Sequence, residues 1–183
     1  YAGDGAAQHD LATVYISGKL AARNDARAIY WLKRAAGNGI ANAQYNLGVF
    51  YQQGLGVKPD MQEAVRWYMA AAEQNHPEAL YNLGLAYMTG AGVRPDMDKA
   101  IAYFKQAAGR GLTQAAYNLG VLYEGLGGAA PDRAQAMEWY QAAATNGHAE
   151  AQRSLARLQA EEGSVSYGAI APAAGDKGFT TNP

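Results

Sequence analysis

The sequence predicts an all-α fold: a right-handed α-solenoid of four helix-turn-helix repeats, a closing helix and an irregular C-terminal tail. Three recurrences, all at or near the same 36-residue interval, support this prediction. The motif Tyr-Asn-Leu-Gly begins at Tyr45, Tyr81 and Tyr117. Aromatic residues recur in step at Trp31, Trp67, Tyr103 and Trp139. Pro-Asp pairs begin at Pro59, Pro95 and Pro131.

The first helix of each repeat, helix A, is predicted from the spacing of its apolar residues. Ala43, Leu47, Phe50 and Tyr51 lie on one helical face, which we expect to be buried. Glycine recurs inside this helix at position 48 and its equivalents, where it costs about 1 kcal/mol relative to alanine. We therefore expect a close approach of the second helix, near Ala64 and Ala100.

The second helix, helix B, has predicted start and stop signals. Asp60 is placed to cap its N-terminus, and Glu63 three residues later completes a capping box that Asp132 and Gln135 repeat. Residues that tolerate a left-handed backbone follow each helix B, at Gly39, Asn75, Gly111 and Gly147. The solenoid is predicted to span residues 1–162. From Gly163 the chain is rich in Gly, Ala, Ser and Pro, so residues 163–183 are predicted to form a non-helical tail.

The stretch AQYNLGVFYQQGLGVKPDMQEAVRWYMAAAEQN, residues 43–75, resembles the Sel1-like repeat (SLR) family, relatives of tetratricopeptide repeats. The resemblance covers roughly residues 6–158. It implies a protein-interaction scaffold or regulator, often outside the bacterial cytoplasm, so we expect a periplasmic or other extracytoplasmic location. It also implies that helix A lines the concave surface of the solenoid.

Composition argues against other classes of function. Lys plus Arg number 15 and Asp plus Glu 16, so nucleic acid is not an expected partner. Cysteine is absent, and His76 and His148 should stand about 20 Å apart as exposed connector residues, too far for one metal. We expect no catalytic residues, metal or cofactor, and no membrane insertion of this segment. The chain starts at Tyr1 rather than Met, which suggests that upstream sequence is missing.

The expected partner is a protein or peptide segment held along helix A, with the C-terminal tail of this or a neighbouring molecule as one candidate. Asparagine can hydrogen-bond an extended backbone, and tyrosine and aliphatic residues add contact area. The predicted groove residues are Tyr45, Asn46, Val49, Gln53, Tyr81, Asn82, Leu85, Met88, Tyr117, Asn118, Val121 and Glu124. The alternative for the Tyr and Asn residues is that they bond across neighbouring repeats and stiffen the stack. A carbohydrate- or cell-wall-binding module that uses the same tyrosine-rich surface is the alternative function.

Overall fold

The computed structural model describes residues 3–125 and 131–168, and the α-solenoid predicted from the sequence is confirmed. This part of the chain contains nine helices and no strand. Helix A of each repeat is α1, α3, α5 or α7, helix B is α2, α4, α6 or α8, and α9 closes the stack. Their bounds are α1 Gly5–Ser17, α2 Asp25–Gly37, α3 Ala41–Gln53, α4 Met61–Glu73, α5 Pro77–Thr89, α6 Met97–Gly109, α7 Thr113–Tyr123, α8 Arg133–Thr145 and α9 Ala149–Gly168.

Helices A and B of one repeat meet where helix A has its glycine, as predicted, but the main contact is an aromatic ring rather than an alanine. A Cβ atom on Gly48 would lie 2.5 Å from the ring of Tyr68 and 3.1 Å from the carbonyl oxygen of Ala64. The rings of Phe104 and Tyr140 lie against the equivalent glycines, and all three rings are fully buried. The glycine therefore makes room for a large ring in each of these three repeats.

The core is a series of small clusters rather than one centre. Each cluster joins a repeat to the next: Trp67 of α4, for example, packs against the buried residues of α2 and α3. Among the described residues, contacts run mainly between helices adjacent in sequence, so stability is approximately a sum of repeat and interface terms. A cleft of about 370 Å³ opens at the first repeat between Leu11, Val14 and Trp31.

The turns confirm the predicted caps but correct the predicted capping box. Asp60 accepts the backbone N–H of Glu63 at 3.0 Å, as a cap should. The Glu63 carboxylate, however, binds Arg66 at 3.1 Å, and the Asp60 backbone N–H donates to Tyr51 O at 2.9 Å. The predicted hydrogen bond from the Asp60 backbone N–H to the Glu63 side chain is therefore replaced by the Glu63–Arg66 ion pair and by a backbone hydrogen bond of the turn. The four residues predicted to follow helix B in a left-handed conformation have φ values of 79°, 61°, 89° and 82°.

The closing helix is longer than predicted. α9 continues to Gly168, six residues beyond the boundary at which the non-helical tail was expected to begin. Extending an existing helix costs little per residue, and no proline lies between the start of α9 and Pro172. Glycine and serine composition alone was therefore a poor stop signal. The remaining residues of the predicted tail, 169–183, lie outside the described part of the chain.

Candidate partner-binding face

The structure distributes the predicted groove residues over α3, α5 and α7, with Glu124 as the C-cap of α7. We call this set of twelve the ladder face. Gln53 is exposed, and the other eleven residues are half-buried. Most of these side chains therefore pack partly against the protein interior and expose the remainder of their surface to solvent.

The asparagines of the ladder face bond within the stack. Asn46 Nδ2 lies 3.3 Å from His9 Nε2, and Asn118 Nδ2 donates to the Tyr81 hydroxyl at 3.3 Å. Asn82 hydrogen-bonds the hydroxyl of Tyr68. These contacts correspond to the alternative in which the ladder stiffens the stack. A direct role of these amides in binding a partner stays a prediction.

The tyrosines of the ladder face pack against other rings. Tyr45 and Tyr117 stack on His76 and His148, with ring centroids 4.6 and 4.4 Å apart. Tyr81 packs at 5.6 Å against Phe104. Since each tyrosine already uses ring surface inside the protein, less of it is available for stacking on a sugar.

The two histidines were expected to be exposed connector residues, and that expectation is wrong. The side chains of His76 and His148 are only 11% and 13% exposed. Each caps a helix: His76 Nδ1 accepts the N–H of Ala79 at 3.4 Å, while Nε2 lies 3.1 Å from Asn42 Oδ1. Burial lowers the pKa of His76, and Glu78, 3.3 Å away, opposes that shift.

The residues that form the histidine and tyrosine contacts alternate along the stack with a period of two repeats. The residues before α3, α5, α7 and α9 are Ile40, His76, Leu112 and His148 in turn. The buried residue of helix B follows the same rule, as Leu32, Tyr68, Phe104 and Tyr140. Only Tyr68 and Tyr140 bring a hydroxyl group to the junction with the following helix A. We call the contact between helix B of a repeat and the helix that follows it a junction. The second and fourth junctions, which have Tyr and His, are therefore chemically alike, and they differ from the first and third.

A small pocket opens on the ladder side at the second junction. It has a volume of about 100 Å³. The Tyr68 hydroxyl lies in its wall and donates to Gln52 Oε1 at 2.5 Å, and burial raises the pKa of Tyr68. The other lining residues are Met61, Asn82, Leu85, Ala86, Thr89 and Ala91.

A second pocket, of about 220 Å³, lies at the fourth junction. Glu124 Oε2 accepts the Tyr140 hydroxyl there at 2.5 Å, so burial and this carboxylate both raise the pKa of Tyr140. Arg157 binds the other Glu124 oxygen at 2.5 Å, and Glu161 receives both Arg133 and Arg157. The wall is completed by Tyr123, Pro131 and Leu158.

Charge is distributed unevenly between the two kinds of helix. α1, α3, α5 and α7 contain no Lys or Arg, and their only acidic residues are Asp10 and Glu78. Arg153 and Arg157 of α9 stand in register with Tyr45 and Val49. The ladder face is thus nearly neutral along most of its length and charged at its C-terminal end.

Neither a metal site nor a membrane span is found among the described residues. No group of three or more His, Cys, Asp or Glu side chains in this part of the chain is placed to hold a metal ion. None of the helices described here is long and apolar enough to cross a membrane.

Comparison with known proteins identifies the repeat. The Sel1 repeat family model matches four times, at residues 5–40, 41–76, 77–112 and 113–148. No curated protein matches the chain.

Solved structures give the same result. A Sel1 repeat protein from Oxalobacter formigenes is 34% identical over 85% of this chain and 63% of its own, with a TM-score of 0.79. The protective antigen c5321 of uropathogenic Escherichia coli, which displays an SLR fold, is 35% identical over 84% of this chain and 33% of its own, with a TM-score of 0.82. Cysteine-rich protein B of Helicobacter pylori shares the fold alone, at 23% identity and a TM-score of 0.50 over 59% of this chain and 93% of its own. This chain therefore spans less than two thirds of the length of the first two proteins.

Proposed function

Because the chain belongs to the Sel1 repeat family, whose members are generally non-enzymatic protein-interaction scaffolds, we propose that it binds a peptide or protein segment along the ladder face. The proposal applies to residues 1–183 and not to the activity of a longer protein. No chemical step is assigned to it.

The observation that carries this proposal is an apolar strip without cations. Val49, Leu85 and Val121 are half-buried at equivalent positions of successive repeats, so the strip runs across the junctions. Exposed Gln52, Gln53 and Thr89 lie beside it. Such a surface offers apolar contact and hydrogen bonds to an extended chain, and it selects against no particular charge over most of its length.

The carbohydrate alternative is not proposed. It rested on tyrosine rings free for stacking, and Tyr45, Tyr81 and Tyr117 each pack against another ring of the protein. An extracytoplasmic location remains a prediction, which cell fractionation with an antibody against the native chain would test.

The proposal is tested with a displayed library of random twelve-residue peptides selected on the native chain. A triple variant places glutamine on the strip, at Val49, Leu85 and Val121. A matched control places three glutamines on exposed alanines of helix B, at Ala26, Ala102 and Ala134.

We expect the strip variant to weaken selected peptides by about tenfold or more, since central apolar contacts dominate such interfaces. The control should bind like the native chain, and circular dichroism should show both variants folded. Equal loss in the two variants, or no selected peptide at all, would contradict the proposal.

A further inference from the structure

The two pockets on the ladder side occupy equivalent positions two repeats apart. Gln52, Met61, Leu85, Ala86 and Thr89 of the first pocket correspond in register to Glu124, Arg133, Arg157, Leu158 and Glu161 of the second. Each pocket is built beside a buried tyrosine hydroxyl that donates a 2.5 Å hydrogen bond to the residue at the position of Gln52. The junction between them has Phe104, which lacks the hydroxyl, and Met88 in place of Gln52.

The chemistry of the two pockets differs. The first is neutral, with Met61, Leu85, Ala86 and Ala91 as apolar walls, and its volume of about 100 Å³ suits one short aliphatic side chain. The second is larger and contains two guanidinium groups from different helices, Arg133 of α8 and Arg157 of α9.

The two arginines already hold a carboxylate. Glu161 receives Arg133 Nη1 at 3.1 Å and Arg157 Nη1 at 3.2 Å, and the hydrogen bond from Arg133 leads the causes that lower the Glu161 pKa. The Glu161 side chain is nevertheless 47% exposed, so it sits at the mouth of the pocket. Glu124, by contrast, is 15% exposed and bound by both Tyr140 and Arg157. Arg133 also lies 3.4 Å from the more exposed Glu162 and donates to Leu158 O. Glu161 is the carboxylate that both arginines bind, so it is the one that a ligand held by both would replace.

We propose that the ladder face reads a two-point motif: a short aliphatic side chain in the first pocket and a carboxylate, held by Arg133 and Arg157 in place of Glu161, in the second. Two guanidinium forks converging on one carboxylate give a strong, oriented contact. At roughly 10 Å per repeat the pockets are about 20 Å apart, which an extended chain crosses in about six residues. This inference rests on the proposed function and adds the class of ligand to it.

The test uses the native chain, labelled with ¹⁵N, and synthetic peptides. The first peptide is acetyl-Leu-Ser-Gly-Ser-Gly-Ser-Glu-amide, with its aliphatic and acidic residues six positions apart. Three others replace Glu by Gln, shorten the spacing to three, or replace Glu by Gly with a free C-terminus. The peptide with the free C-terminus tests whether a terminal carboxylate binds as a side-chain carboxylate does. Affinity is taken from the arginine side-chain resonances, assigned with Arg133→Lys and Arg157→Lys.

We expect the first peptide to bind at least about tenfold more tightly than its Gln version, which is the value of one charge-assisted hydrogen bond. Glu161→Gln should raise its affinity several-fold, because the internal competitor loses its charge. Thr89→Leu, which fills the first pocket, should lower it. Arg153→Gln, on the same helix and paired with Glu150 rather than with Glu161, is the matched control and should change nothing.

Equal binding of the Glu and Gln peptides, or unchanged affinity in Glu161→Gln, would overturn the inference. If peptides from the random library still depend on the strip of Val49, Leu85 and Val121 in that case, the proposed function stands without the motif. If neither set of peptides depends on the ladder face, both proposals fall.

Discussion

Replacing Gly84 by alanine should destabilise the solenoid, and a second change taken from the first repeat should restore it. The new Cβ atom would lie 2.6, 2.7 and 2.9 Å from three ring atoms of Phe104, closer than real Cβ contacts. Phe104 is fully buried, so its ring cannot move aside without displacing neighbours. Overpacking of this kind costs about 1 to 3 kcal/mol, and the better helix propensity of alanine returns about 1 kcal/mol. We expect a net loss of about 1 kcal/mol.

The first repeat shows how the same contact is built without glycine. Ala12 stands at the position of Gly84 and Leu32 at the position of Phe104, and both are fully buried. Phe104→Leu alone removes ring atoms from a packed site and should also destabilise. When Phe104→Leu is combined with Gly84→Ala, the alanine methyl group fills part of the space that the ring occupied. The double variant should therefore be more stable than the sum of the single losses by about 1 kcal/mol or more.

Urea unfolding followed by circular dichroism at 222 nm measures all four proteins of this cycle. Gly109→Ala is the control, because a Cβ atom there would have nothing within 4 Å and the residue closes α6. It should leave stability unchanged or raise it by up to about 1 kcal/mol. Single losses that add to within about 0.5 kcal/mol would refute the reasoning, since independent sites behave in that way.

Three other changes test single contacts. Asp60→Ala should cost about 0.5 to 2 kcal/mol in urea unfolding, because the N–H of Glu63 loses its cap, and an unchanged midpoint would contradict that role. Tyr68→Phe should cost about 0.5 to 1.5 kcal/mol through the bond to Gln52, while helix content stays the same. Burial lowers the pKa of His76, so the unfolded chain binds its proton more readily and stability should fall as pH drops below about 6.5. In His76→Leu the melting temperature should depend less on pH between 7.5 and 5, and an identical dependence would remove His76 as the cause.

The repeat architecture was predictable because the features that define it depend on one residue and its own helix. The caps at Asp60 and Asp132 and the left-handed residue at Asn75 act on backbone groups next to them in sequence. Each signal also recurs, so a weak copy such as Asn24 is identified by its register, and it does cap Arg27.

The side-chain contacts were harder to predict because they depend on competition between partners or on packing between helices. Glu63 has the right position for a capping box, but Arg66 on the next turn competes for the carboxylate, and sequence gives no measure of which contact is stronger. His76 follows a helix-ending Asn75, which favoured an exposed connector. Its burial depends on Tyr45, which lies in α3, two helices earlier in the chain. The clue in the sequence was the alternation of apolar residues and histidine before successive helices A.

The two periods in this sequence separate the positions that build the fold from those that shape the two pockets. Positions that keep the 36-residue period include the Leu-Gly pair of helix A in the second to fourth repeats, the caps of helix B and the turns. Positions that share a residue type only every second repeat include Tyr68 and Tyr140, whose hydroxyls lie at the two pocket-bearing junctions. Packing alone does not require the hydroxyl, because Phe104 fills the same buried space without it. What the hydroxyl adds is a fixed orientation of Gln52 in one pocket and of Glu124 in the other. If the proposed two-point motif is correct, these departures from perfect repetition are where a partner would distinguish this stack from another with the same fold.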